Sequence, residues 1–174
     1  MGGSTLIVFA VALENLFVQP PAFTRPQRLF QDISVLLGLT HGMALIVLNS
    51  ASDLWAGIGI GTYASALALF LNAIESARRT PMTRTFVHEP KCDTILCTGP
   101  YRVIRHPIYL SYSLAWFAAP VATHSVVLGL TAVVMTTCYL ISAREEERLL
   151  ASGPRAADYE KYRAGTWRLI PFIY

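Results

Sequence analysis

One long apolar stretch decides what this chain can fold into. Residues 54–75 are almost entirely apolar, and a helix of that length crosses the ~30 Å hydrocarbon core of a bilayer at about 1.5 Å per residue. The whole chain is 53% hydrophobic and only 14% charged, against roughly 25% charged residues in an ordinary soluble domain. Its 174 residues are enough for one domain. We therefore predict an integral membrane protein.

Four further apolar segments accompany this stretch. They lie at 4–19, 33–48, 108–121 and 125–142. The segment at 108–121 is short and is expected to end at Pro120, and the connector from Pro120 to His124 is short enough for a helical hairpin. The predicted fold is all-α and polytopic, with about five transmembrane helices and a cytoplasmic helical C-terminal tail. A single domain, 1–174, would hold three spans in 1–76 and a loop, the hairpin and the tail in 77–174.

Small and polar residues inside the apolar stretches are interpreted as packing features. Gly57 and Gly61 are four residues apart, the spacing that lets two helix backbones approach closely. They do not form a nucleotide-binding loop, because the Gly-x-Gly-x-x-Gly pattern and a preceding strand are missing. His41 is expected to hydrogen-bond a neighbouring helix rather than bind a cofactor.

Basic residues predict the orientation. Six of the 14 Lys and Arg residues lie in 78–107 and six lie in 144–174, whereas the loops at 49–53 and 120–124 have none. Because basic loops remain in the cytoplasm, both charged segments are expected there. With five spans, the N-terminus then lies outside.

The cysteines point to neither a disulfide framework nor a metal site. Cys92, Cys97 and Cys138 form no Cys-x-x-Cys pair and have no nearby His cluster. We expect unmodified thiols.

The long polar loop ends in Gly-Pro-Tyr-Arg-Val-Ile-Arg-His-Pro-Ile-Tyr at 99–109. Pro107 suits the first turn of a helix, where the missing amide hydrogen would lack a partner anyway. His106 before it is biased away from helical dihedral angles. The stretch therefore predicts a structured loop that presents an Arg-His pair at the mouth of a membrane helix. The alternative is a basic membrane boundary, where Arg and Tyr are common.

The tail after the last apolar segment is predicted to be helical in two pieces. Residues 144–150 continue the helix, 152–154 break it, and 158–163 form a second short helix. The aromatic and apolar residues 167–174 are expected to return to the membrane interface.

Three consecutive acids, Glu145, Glu146 and Glu147, lie near the end of the first tail helix. That end carries partial negative charge, so carboxylates there are unfavourable without a cationic partner. One interpretation is a solvated charge run neutralised by Arg144 and Arg148. The other is a carboxylate pair for a cationic or amine-bearing ligand, with the Arg-His loop binding its anionic part.

Four motifs together resemble the isoprenylcysteine carboxyl methyltransferase and phospholipid methyltransferase superfamily. They are Gly-Pro-Tyr-Arg-x-x-Arg-His-Pro-x-Tyr at 99–109, Glu-Glu-x-x-Leu at 146–150, Tyr-x-x-Tyr at 159–162 and Arg-Leu-Ile-Pro at 168–171. The resemblance begins at Gly99, and the first three apolar segments match only in being apolar. The sequence departs from the family pattern at two places. Leu110-Ser111 replaces a frequent glycine, which bears on packing near the cofactor, and residues 152–155 replace a usual Phe-Gly, which bears on the geometry of the tail.

The resemblance implies an integral membrane enzyme that uses S-adenosylmethionine and no metal. The implied catalytic residues are Arg168, Glu147 and Arg144, with Arg168 acting on the methyl acceptor. The implied cofactor-binding residues are Gly99, Pro100, Tyr101, Arg105, His106, Pro107, Tyr109, Glu146 and Glu147.

The implied acceptor is lipophilic and enters from the bilayer. A prenylcysteine-like carboxylate, a phospholipid amine and a small lipophilic thiol or acid all stay open, as does the oligomeric state; no nucleic-acid partner is expected. The alternatives are an NADPH-dependent lipid or sterol reductase and a non-enzymatic scaffold whose basic face binds anionic lipids.

Overall fold

The computed structural model describes His41, residues 52–78 and residues 95–173. Its helices are α1 (Asp53–Arg78), a 3-10 segment (Gly99–Arg102), α2 (Pro107–Thr123), α3 (Val126–Ala151) and α4 (Ala156–Ala164). The described part is thus all-helical, as predicted. Within it, α1 and α3 are long and apolar enough to cross a membrane. The segments predicted at 4–19 and 33–48 lie outside the described residues, His41 excepted, so five spans stay a prediction.

The three long helices pack in sequence order, with α1 along α2 and α2 along α3. The predicted hairpin is therefore present. Among the described helices, Gly57 and Gly61 mediate no close packing, and any packing against the segments at 4–19 and 33–48 lies outside the described residues. Both glycines are exposed, whereas Gly59 is buried against α2, and a Cβ atom there would lie 2.7 Å from Cβ of Ala122. Any side chain at 59 would push α1 and α2 apart.

Helix α2 does not end at Pro120, contrary to the prediction. It continues through the proline to Thr123 and ends at His124, whose φ of 54° is left-handed. Proline has no N–H to donate to the carbonyl four residues earlier, which belongs to Trp116. His41 Nε2 lies 3.2 Å from that carbonyl oxygen and hydrogen-bonds it. The predicted interhelical role of His41 is confirmed, and it explains why the helix tolerates Pro120.

The buried face of α3 continues from the apolar part of the helix into its charged part. It consists of residues spaced by three or four positions: Leu128, Ala132, Met135, Tyr139, Ala143 and Glu147. Glu147 therefore points inward because it occupies the next position of an apolar stripe. Glu145 lies on the exposed side and pairs with Arg148 at the surface.

The loop that precedes α2 is fixed against the end of α1. Gly99 has a φ of +56°, and a Cβ atom there would lie 2.0 Å from Ser76 Oγ. Only glycine meets both conditions without strain. Tyr101 is buried in a cluster with Ala73 and Ala77 of α1. These contacts hold the loop so that its last residues reach the start of α2.

The tail follows the prediction closely. Helix α3 runs to Ala151, the chain turns at 152–155, and α4 extends from Ala156 to Ala164. Beyond α4, Phe172 and Ile173 are 86% and 77% exposed, which fits the predicted return to the membrane interface.

Candidate active site

Two distant segments meet in a short parallel pairing. Ile104 in the loop bridges Trp167 in the tail. The Trp167 amide donates to the Val103 carbonyl at 2.9 Å, and the Arg105 amide donates to the Trp167 carbonyl at 2.7 Å. The His106 amide then donates to the Arg168 carbonyl at 3.1 Å. The pairing brings Arg168 beside the Arg-His pair.

Glu147 is the centre of a buried charge cluster. Arg105 Nε donates to its Oε1 at 2.8 Å. Arg168 donates to its Oε2 from Nε at 2.9 Å and from Nη2 at 2.7 Å. The Glu147 and Arg105 side chains are only 6% and 9% exposed. A buried carboxylate needs such partners, and they also offset the unfavourable position near the helix end.

His106 lies between the two inward carboxylates. Its Nε2 is 3.3 Å from Glu147 Oε1 and its Nδ1 is 3.5 Å from Glu146 Oε2. Within the described part of the chain, Nε2 is buried without a partner in hydrogen-bonding geometry. Burial lowers the pKa of His106, although the Glu147 carboxylate acts in the opposite direction. Burial thus favours the neutral imidazole over the imidazolium.

Glu146 is held differently from Glu147. The Tyr109 hydroxyl donates to Glu146 Oε1. The Tyr109 ring stacks on His106 on one side and on Tyr139 on the other, with centroids 5.5 Å apart in both cases. The Trp116 indole N–H donates to the Tyr139 hydroxyl at 3.0 Å. A column of rings thus supports the carboxylate from the interior of the bundle.

The structure unites most of the predicted site residues and separates others. Six of them lie in or directly against the cluster: Arg105, His106, Tyr109, Glu146, Glu147 and Arg168. The 3-10 segment that packs against α1 contains Gly99, Pro100 and Tyr101. Pro107 is buried at the start of α2. Arg144 is exposed on α3, outside the buried cluster.

Sequence reasoning missed Tyr139 and Trp116 as supports of the site. In the sequence, Tyr139 is indistinguishable from an ordinary aromatic residue of an apolar segment. The available signal was its spacing, because it precedes Ala143 by four positions and Glu147 by eight, on one face of α3.

An open cavity of about 460 Å³ adjoins the cluster. It is lined by Arg105 and by the tail residues 163–168, and its size lies in the range of small-molecule sites. Among the described residues, no group of His, Cys, Asp and Glu could hold a metal ion. Cys97 and Cys138 are free thiols, whereas Cys92 lies outside the described residues.

Comparison with known proteins defines the class as a membrane methyltransferase. The sequence pattern of the phospholipid methyltransferase family matches residues 37–153, a range that includes α1, α2, α3 and both inward carboxylates. The chain belongs to the phospholipid methyltransferase family, and with it to the superfamily that includes the isoprenylcysteine carboxyl methyltransferases.

One curated relative is the protein named methanethiol S-methyltransferase from Crocosphaera subtropica (strain ATCC 51142 / BH68). It is 33% identical over 73 residues, which are 42% of this chain and 28% of the relative. The match therefore spans little more than a quarter of the relative's length. Both comparisons favour a methyltransferase over the reductase and scaffold alternatives.

Proposed function

We propose that the protein transfers a methyl group from S-adenosylmethionine to a lipophilic acceptor at the cytoplasmic side of the membrane. The observation that carries this proposal is the buried cluster of Arg105, His106, Glu146, Glu147 and Arg168 beside an open cavity. The family membership supplies the reaction class.

The residues of the cluster fit this methyl donor. Its amino group and sulfonium are cationic, and the Glu146 side chain, which accepts from the Tyr109 hydroxyl and lies beside His106, can provide oxygens for them. Among the buried polar atoms without a hydrogen-bond partner in the described chain are His106 Nε2 and Tyr159 Oη, which are suited to a polar ligand. When bound, the donor supplies an activated methyl group on sulfur.

The protein's contribution would be alignment and exclusion of water rather than heavy acid–base work. The ring column formed by His106, Tyr109 and Tyr139 would shield the deep side of the site from water. Arg168 is suited to an anionic acceptor, because a guanidinium donates along two directions. If the acceptor is a thiol or an amine that needs a base, His106 or a glutamate of the tail is the candidate to accept its proton.

The acceptor remains a choice among a thiol, an amine and a carboxylate. The relative named methanethiol S-methyltransferase puts small thiols first. The family membership adds phospholipid amines, and the superfamily adds prenylcysteine carboxylates. A screen with tritium-methyl donor against these three acceptor classes, followed by membrane lipid extracts, distinguishes them.

The purified protein is expected to bind S-adenosylmethionine and its demethylated product. The reason is the buried cluster of carboxylates and histidine, whose two arginines, Arg105 and Arg168, line the cavity. Isothermal calorimetry measures both affinities, with NADPH as the control ligand. A well-folded preparation that binds NADPH, or that binds neither form of the methyl donor, would contradict the proposed function.

The tail is expected to face the cytoplasm, because residues 78–107 and 144–174 carry most of the basic residues. The test labels single cysteines in intact cells with a membrane-impermeant maleimide, after the native cysteines are replaced. Ser50→Cys should react and Ser152→Cys should not. The opposite pattern would reverse the orientation.

A further inference from the structure

Arg105 joins three separate segments with one side chain. It belongs to the loop before α2, and its Nε donates to Glu147 on α3 at 2.8 Å. Its Nη1 donates to two backbone carbonyls of the tail, that of Thr166 and, at 3.2 Å, that of Arg163. The side chain is only 9% exposed, so these contacts are largely shielded from water.

The tail carbonyls that Arg105 binds lie at the end of α4 and just beyond it. Carbonyls at a helix end carry partial negative charge, and that of Arg163 also accepts from the Gly165 amide. Arg163 lies in the last turn of α4, and Thr166 follows the helix end at Gly165. A guanidinium satisfies several such oxygens at once because its donors point in different directions.

These contacts assign Arg105 a different role from the cofactor contact that the sequence resemblance implies. We infer that Arg105 is a positioning residue: it latches the C-terminal tail, 165–173, onto the loop and so holds Arg168 and the cavity wall in place. The recorded donors of its guanidinium are directed at protein acceptors. The link between this latch and methyl-donor binding rests on the proposed function. The docking of the tail by Arg105 does not depend on that function.

The remaining contacts between loop and tail make the latch testable. They are the backbone pairing of residues 103–106 with 167–168 and the bond from the Tyr162 hydroxyl to the Tyr101 carbonyl at 2.8 Å. Arg168 also ties the tail to Glu147, and Leu169 is buried, whereas the neighbouring tail residues Phe172 and Ile173 are exposed. Removal of the guanidinium should therefore free the tail locally without unfolding the helices.

The experiment measures amide hydrogen exchange by mass spectrometry on the full chain in lipid nanodiscs. Arg105→Gln should accelerate exchange in tail peptides at least ~10-fold while α1 peptides stay unchanged. Arg105→Lys should lie nearer to Gln than to the wild type, because a compact ammonium cannot reach Glu147 and both carbonyls together. Arg102→Gln is the matched control: Arg102 is exposed in the same loop, and its variant should exchange like the wild type.

A second readout links the latch to the site. In Arg105→Gln, KM for S-adenosylmethionine should rise by a larger factor than kcat falls, since the tail docks in only part of the population. If the wild type binds no S-adenosylmethionine but the exchange pattern is as expected, the proposed function fails and the latch stands. Tail exchange in Arg105→Gln equal to that of the wild type overturns the latch. If Arg105→Gln does not fold, the test is made with Arg105→Lys. Tail exchange as slow as in the wild type, in a folded Arg105→Lys variant, also overturns the latch.

Discussion

Replacing Glu147 with alanine is expected to abolish methyl transfer and to destabilise the fold. The substitution leaves the Arg105 and Arg168 guanidiniums without the carboxylate that both bind. Removal of one partner from a buried ion pair costs about 3–5 kcal/mol, which is a large fraction of the total stability of a domain. The measurements are thermal unfolding in nanodiscs and the rate of methyl transfer, which should fall at least ~100-fold.

The matched control is Glu145→Ala, two positions away on the same helix. Glu145 pairs with Arg148, and both side chains are more than half exposed, so the loss should be at most ~1 kcal/mol. Glu147→Gln keeps the shape and removes the charge, and it should resemble Glu147→Ala in activity. Equal effects of the alanine substitutions at 145 and 147 would contradict the role given to the buried cluster.

The burial of Glu147 could have been predicted from the sequence more sharply than it was. The apolar stripe of α3 has its positions at 128, 132, 135, 139 and 143, and the next position of that stripe is 147. Of the three consecutive glutamates, Glu147 is the one that continues this face. The expectation that acids at this helix end need cationic partners was sound, and the structure supplies Arg105 and Arg168.

The pairing between loop and tail is the part that the sequence does not reveal. Arg105 and Thr166 are 61 positions apart, and no periodicity in either segment predicts their register. The pairing depends on where α4 ends and on how the Pro107 start of α2 aims the preceding residues. Motif resemblance placed both segments in one site, but only the fold shows that Arg105 is directed at the tail.

The error at Pro120 has a similar origin. A proline inside a helix normally ends or kinks it because one hydrogen bond is lost. Here the freed carbonyl of Trp116 is bound by His41, 75 positions earlier. A local rule therefore failed because a distant residue compensates for the missing donor.

Replacing Arg168 with alanine is the second substitution from which we expect a large effect, and it separates the two halves of the proposed reaction. Arg168 donates twice to Glu147 Oε2, but Glu147 keeps its bond to Arg105 when Arg168 is removed. The part of the cluster proposed to bind the cofactor, with His106 and Glu146, is therefore retained. We expect nearly unchanged affinity for S-adenosylmethionine, and methyl transfer reduced at least ~10-fold, or about 1.4 kcal/mol at the transition state.

Further variants test whether this effect comes from an acceptor contact. Arg168→Lys should recover little activity, because an ammonium is a point charge and does not reproduce the two directions of a guanidinium. His106→Ala should instead weaken donor binding. Arg155→Ala is the control in the same tail, since its exposed pair with Asp158 should contribute little. If folded Arg168→Ala turns over at the wild-type rate, Arg168 only ties the tail to Glu147, and the acceptor must be bound elsewhere.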